Sequence, residues 1–447
     1  DEITWSGSIP CSLTYVGRIE ATSDAVVPDT CTLRIRGPAE IVFPTEDTGH
    51  TGYDTSRCEL IVQGELLADG VADTVKFTTS DQSPEPGDWY GIRFTFQSSG
   101  DLNTCAIEYA KFGIRSGGGV VNVESCRISK SYQHGIFASN TELTVSNSKL
   151  KDNSLDGIRC IRSDFDIVNN RIRESGRYGI YCDSVPAEDP PWMDTVMYIS
   201  SNSIVDSSDT GLQYGIAILR NSVFHIQGDT IRGFEQGGIE CSHNASGVII
   251  DNSVDSVAWY GLHTEYWSSP LVRWNEIAHA YIGVLAELAS YPDLGDTSET
   301  GDGNNSIVAT DSFMVANRNM DLDSLKAENN WWGTPQPNSS LFDGRVDWHP
   351  YLTSAPQPDP KAIAQRETGL PQAFALHQNY PNPFNAATVI EYDLPRASHV
   401  SVEIYNILGQ KVTTLRDAYE QPGYKLVHWN SRSDSGELVA TVYTSIC

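Results

Sequence analysis

Glu240, His263 and Glu265 are the residues of this sequence whose types and spacing suit acid–base chemistry. Gly238-Ile239 precedes Glu240 as Gly261-Leu262 precedes His263, so the two side chains hold one position on successive units of a repeat. Stacked as parallel strands, such positions stand ~4.8 Å apart. Glu265 lies two residues further along the His263 strand, which adds ~6.7 Å at right angles. Glu240 and Glu265 would then be ~8 Å apart at the backbone, a separation that leaves room for a water and suits inverting glycoside hydrolysis. His263 would tune one carboxylate or hold substrate. Arg159, Tyr181 and Asp183 occupy outward positions on earlier units, and Trp192 lies in a loop beside them. Aromatics set among carboxylates and a guanidinium suit sugar rings. The competing reading is an ordinary solvated sheet face.

A second candidate lies in residues 290–305, where Asp293, Asp296, Glu299 and Asp302 make an acidic loop. Asp293, Asp296 and Asp302 would offer oxygen ligands to calcium, although the D-x-D-x-D-G spacing of a dedicated calcium loop is absent. No Gly-x-Ser-x-Gly elbow, His-Glu-x-x-His or phosphate-binding loop occurs. His134-Gly135 carries little weight, since its Gly belongs to the repeat.

The elements that must position these groups follow from the repeat. Gly-Ile or its equivalent recurs at Gly113, Gly135, Gly157, Gly179, Gly215, Gly238, Gly261 and Gly283, in steps of 22, 22, 22, 36, 23, 23 and 22 residues. An apolar residue recurs in phase at Ile128, Leu150, Ile172, Ile204, Ile231, Val254 and Ile277. Two residues before each stands Cys126, Ser148, Asn170, Asn202, Asp229, Asn252 or Asn275. A period this short, rich in Gly, Asn and β-branched residues, predicts stacked β coils. The Gly is expected in a tight turn, and the Asn side chains are expected to bond one coil to the next as structure rather than as catalysts. Most of the excess in the 36-residue step falls in residues 184–193, a proline-rich insertion carrying Trp192 and either a substrate wall or a tolerated surface loop. Residues 1–112 read as a cap and the first coils, and the aromatics of 329–333 and 346–350 as the far plug.

The formal charge is −28, which disfavours nucleic-acid binding. No run of about 20 apolar residues predicts a transmembrane helix, and the chain is expected to be monomeric. No positively charged, apolar leader opens the sequence, which fits a cytosolic chain or one whose leader has been removed. Nine cysteines occur without a C-x-x-C. Cys105, Cys126, Cys160, Cys182 and Cys241 fall on repeat positions and read as small buried residues, while Cys11, Cys31 and Cys58 are the disulfide candidates of an exported chain.

Residues 1–352, through the Gly-Ile phrase, the Asn ladder and Asn330-Trp-Trp-Gly333, resemble the right-handed parallel β-helix repeat proteins of the pectate-lyase-like superfold. That fold hosts lyases, hydrolases, epimerases, adhesins and proteins without known activity, so the resemblance speaks for fold more than for activity. Residues 353–370 form a Pro-rich linker. Residues 371–447 are similar to the C-terminal sorting domains of the type IX secretion system: Asn379-Tyr-Pro-Asn-Pro-Phe-Asn385 matches the family's opening and Ile404-Tyr-Asn-Ile-Leu-Gly-Gln410 its central strand and turn. The closing Ala440–Cys447 departs from the family in lacking its Gly.

The expected fold is therefore all-β, a parallel β-helix solenoid followed by a small Ig-like β-sandwich. The resemblance implies a protein secreted from, or held on the outer surface of, a Gram-negative bacterium, with the type IX machinery as one partner. The leading expectation for function is engagement of extracellular polysaccharide or cell-surface glycan, as a carbohydrate-active enzyme or a binding module. The rival is a non-catalytic structural or adhesive surface protein.

Overall fold

The computed structural model describes residues 3–10, 13–70, 74–183, 197–207, 213–296, 303–308, 310–320, 323–356, 373–376, 380–385, 387–406, 409–420, 423–429, 433 and 445–446. The described residues divide after Pro356 into two units. In the first, 34 strands among the described residues join in one sheet whose pairings are all parallel. Each coil of the regular region contributes three short strands. Ile136–Ser139, Thr141–Ser146 and Lys149–Lys151 are followed one turn later by Ile158–Ile161, Asp164–Val168 and Arg171–Arg173, each pairing with its equivalent.

The register places the apolar phrase in columns. Ile136, Ile158, Ile180, Ile216, Ile239, Leu262 and Val284 form one column. Ile128, Leu150, Ile172, Ile204, Ile231, Val254 and Ile277 form another. These side chains are buried in a single core that runs through the coils. Burial of each contributes roughly 1.5–3 kcal/mol, and a coil realises it only against its neighbours. Trp332, Phe342 and Trp348 pack ring to ring beyond the last coils, with Trp332 buried.

The polar ladder runs beside this core. Backbone N–H groups of Ser148, Asn170, Asn202, Asp229, Asn252, Asn275 and Asn305 each donate to the side-chain oxygen of the next rung, at 2.7–3.0 Å. The Nδ2 groups of Asn170, Asn202, Asn252 and Asn275 donate to carbonyls of earlier coils, which leaves little of the buried turn unsatisfied. Asp229 interrupts the pattern. Its Oδ2, where an Asn would carry its donor, is buried without a partner, and burial pushes the carboxyl up to about 7.

Two expectations change. The repeat's Gly is needed for close approach rather than for a turn. A Cβ on Gly157 would lie 2.7 Å from the Gly179 carbonyl oxygen and 2.6 Å from Ile172 Cγ2, closer than any side chain allows. Among the disulfide candidates, Cys31 is disulfide-bonded whereas Cys58 is a buried free thiol. The repeat-position cysteines are buried and free as expected. The 184–193 insertion lies outside the described residues.

In the second unit, Ala375–Leu376, Tyr380–Asn385, Ala387–Leu394 and Gly423–Trp429 form one antiparallel sheet. Ser398–Tyr405, Lys411–Glu420 and Ser445–Ile446 form another. Ile390, Tyr392, Leu394, Val402, Ile404, Val427 and Trp429, drawn from both sheets, make one buried cluster.

Candidate functional site

The outward position after each Gly-Ile forms a row: Arg115, Phe137, Arg159, Tyr181, Ala217, Glu240, His263 and Leu285 are neighbours in register. The residue before each Gly adds a second row, Tyr178, Tyr214, Gly237 and Tyr260, whose rings lie over the same face.

Gly237 is the gap in that second row, and the gap has a use. A Cβ there would stand 2.6 Å from the Tyr214 ring, so the missing side chain lets Tyr214 lean across the Glu240 strand. The Tyr214 hydroxyl then reaches His263 Nδ1 at 2.8 Å. On the other side of the imidazole, Nε2 lies 3.3 Å from Glu287 Oε1. His263 is only 8 % exposed, and its ring is fixed between a phenol and a carboxylate. Such a bridge sets the tautomer and orientation of an imidazole.

Glu240 stands beside His263 on the preceding strand, half-buried. Burial first, and the Glu265 carboxylate second, push its carboxyl up to about 7. Glu265 Oε1 accepts a hydrogen bond from Ser242 Oγ at 2.9 Å, and His243 Nδ1 lies 2.5 Å from the same hydroxyl. Glu240 is thus a carboxyl protonated near neutrality, next to an imidazole and near a second, hydrogen-bonded carboxylate. This is the combination that proton transfer to and from a bound substrate requires.

The other candidates are placed differently. Arg159 Nη1 bonds Asp156 Oδ2 at 3.0 Å, and its guanidinium lies 3.9 Å over the Tyr181 ring. The Tyr181 hydroxyl donates to Asp183 Oδ2 at 3.2 Å, and Asp183 is clasped by Arg220. Arg159, Tyr181 and Asp183 are therefore brought together, but in a mutually satisfied chain in which Tyr181 and Asp183 are buried. Trp192 lies outside the described residues. Lys326 Nζ bonds Asp296 Oδ2 at 2.5 Å and stands 3.9 Å from Asp293 Oδ2, an ammonium where a calcium ion was expected, and Asp302 lies outside the described residues.

Among the described residues, two groups of side chains have donor sets a metal could use. His263, Glu265 and Glu287 each bring one ligand atom within 4.8 Å of the others, as do Asp24, Asp47 and Cys58. The second set already serves its own loop: Asp47 accepts from the Gly49 and Thr51 N–H groups, and Asp24 from the Glu59 N–H and the Thr51 hydroxyl. Tyr214, Gly237 and Glu287 were not among the site residues read from the sequence. The Tyr row before the repeat's Gly is visible there, but a phenol reaching across two coils is not.

The fold agrees with what the chain is similar to. Residues 74–214 match the model of the right-handed β-helix region, and residues 378–424 match that of a secretion system C-terminal sorting domain. The protein is a right-handed parallel β-helix chain ending in a type IX sorting domain, which marks it for secretion or the cell surface. Among solved structures it is similar to the periplasmic alginate epimerase AlgG. A double mutant of that enzyme superposes with a TM-score of 0.53 at 14% identity, over 71% of this chain and 78% of the epimerase. The unmutated epimerase gives 0.50 at 14% identity, over 76% of each chain. At these identities the likeness is one of fold. No curated protein sequence matches the chain. No helix among the described residues is long and apolar enough to cross a membrane.

Proposed function

We propose that this is a secreted carbohydrate-active protein whose β-helix, residues 1–352, works on extracellular polysaccharide at Glu240, His263 and Glu265. The observation that carries the reading is the partly buried Glu240 carboxyl in register beside His263, whose ring is fixed between Tyr214 and Glu287. Glu240 would protonate the leaving oxygen of a glycosidic bond. Glu265, ~8 Å away at the backbone, would activate water on the opposite face of the sugar. His263, held by Tyr214 and Glu287, would hold the substrate between the two carboxyl groups. Arg159, Tyr181 and Asp183 would border the sugar, and calcium at Asp293 and Asp296 would have to displace the Lys326 ammonium. The linker 353–370 would separate this domain from an Ig-like sandwich, residues 371–447, read by the secretion machinery.

The mutual pairing of Arg159, Asp183 and their partners favours a second reading, a non-catalytic surface binding protein, because paired charges have little to offer a substrate. Turnover decides between them. In assays of the purified chain on a panel of plant, algal and bacterial polysaccharides, Glu240→Gln and Glu265→Gln should each reduce product formation by roughly 100-fold or more with the melting temperature nearly unchanged. Full activity in either variant removes that residue from the mechanism. Binding without turnover in the unaltered protein favours the second reading.

A further inference from the structure

The ends of the strand Tyr260–Thr264 carry exposed aromatics that the reading above does not use. At one end Trp259 is 48% exposed, edge-on to Tyr281 with centroids 5.2 Å apart and 6.3 Å from the Tyr260 ring. Tyr260 in turn lies 5.0 Å from the His263 ring. At the other end Trp267 is 65% exposed and neighbours Tyr266 at 6.4 Å. Tyr266 stacks on His243 at 4.4 Å, and His243 reaches Glu265 through the Ser242 hydroxyl. A series of neighbouring side chains thus crosses the sheet along the strand direction, with an indole at each end and the carboxyl groups between.

The backbone at Trp267 is a second, independent sign. Each coil here turns through two consecutive left-handed residues: Arg220 and Asn221, His243 and Asn244, Tyr266 and Trp267, Leu288 and Ala289. Asn tolerates that conformation because its short polar side chain bonds locally, and Asn244 Nδ2 does bond Asn221 Oδ1 at 2.8 Å. Tyr266 and Trp267, at φ 47° and 62°, place two bulky rings where they are disfavoured and end that exposed Asn ladder. Leu288 and Ala289 share the conformation one coil on, so it belongs to the fold; what is particular to Trp267 is an exposed indole where Asn221 and Asn244 stand on the preceding coils.

Charge narrows the ligand. Glu265 and Glu287 face the strip, while the nearest described cations of the face are already taken: Arg159 and Arg177 by Asp156, and Arg220 by Asp183. A carboxylated sugar entering between the indoles would meet like charge with no free guanidinium to answer it. Neutral sugar rings stack on indole faces without that opposition.

Resting on the carbohydrate reading above, we infer that the site takes an uncharged glycan laid across the strands, its rings stacked on Trp259 and Trp267 to either side of Glu240 and Glu265. Isothermal titration of the whole chain with cellohexaose, mannohexaose and chitohexaose, against hexagalacturonate and hexaguluronate, tests it. At least one neutral hexasaccharide should bind and the two hexauronates should not. Trp259→Ala and Trp267→Asn should each weaken that binding by roughly tenfold. Trp267→Asn should also melt no lower than the unaltered chain, because it places the residue the backbone prefers and extends the Asn221–Asn244 ladder. Tighter binding of a hexauronate, unchanged binding in both variants, or no binding of any neutral arm would overturn the inference. Neutral binding that survives in Glu240→Gln, with no turnover in the unaltered chain, breaks the catalytic reading and leaves this one standing. Turnover of a hexauronate that is lost in Glu240→Gln does the reverse.

Discussion

Asp156 and Glu240 are acidic side chains on the same sheet face, three strands apart in register, and their surroundings have opposite effects. The Asp156 side chain is fully buried, with His134 Nδ1 at 3.1 Å, Arg159 at 3.0 Å and Arg177 at 2.9 Å. Although burial alone would raise its carboxyl, His134 and Arg177 more than offset this and hold it well below the usual range. No described cation pairs with Glu240; burial and Glu265 act in the same direction, and its carboxyl rises to about 7. The first arrangement ties three coils together. The second leaves a proton available near neutral pH. One face thus serves stability at one place and proton transfer at another, according to whether cations reach the carboxylate.

The comparison is broken most directly at Asp156. Asp156→Ala leaves two guanidinium groups and an imidazole without their shared acceptor, and should lower stability by about 3–5 kcal/mol in urea unfolding followed by tryptophan fluorescence. A loss under about 1 kcal/mol would mean that the cluster is a solvated surface group, and the contrast with Glu240 would fail.

Asp229 sharpens the contrast, as a buried carboxyl raised to about 7 by desolvation within the core ladder. The native state keeps a proton that the unfolded chain, with its carboxyl near 3.8, releases. The stability this group contributes is therefore full below about pH 4 and is lost as pH rises through about 7. Asp229→Asn restores the missing donor, and should stabilise the chain by about 2 kcal/mol at pH 8 with little gain at pH 4. Equal effects at both pH values would show that ionisation at Asp229 has no part in it.

Glu240→Gln should give the smallest change, of the same sign. Its carboxyl shifts from 4.5 to about 7, so stability falls as pH rises across that interval. Because the side chain is only partly buried, solvent screening limits the gain to about 1 kcal/mol at pH 8. Melting curves of the variant and the unaltered chain should converge near pH 4 and separate by pH 8. Parallel curves throughout would place Glu240 among ordinary solvated acids.

The sequence by itself determined the coils, the columns and the rungs. A parallel stack repeats one geometry at a fixed rise, so residues at equal phase must become neighbours, and this is why Glu240 and His263 could be set side by side from spacing alone. Repetition also told the structural Asn apart from the chemical residues. What only the tertiary structure decided lies between phases and around the face. Tyr214 crosses Gly237 to reach His263, Glu287 approaches the other imidazole nitrogen, and Arg159, Tyr181 and Asp183 use up their polar groups on one another. Those contacts depend on side-chain reach and on which neighbour is missing a side chain. The protonation of Glu240 is decided at the same level, since it depends on how much water and how many cations the folded face leaves near one carboxyl group.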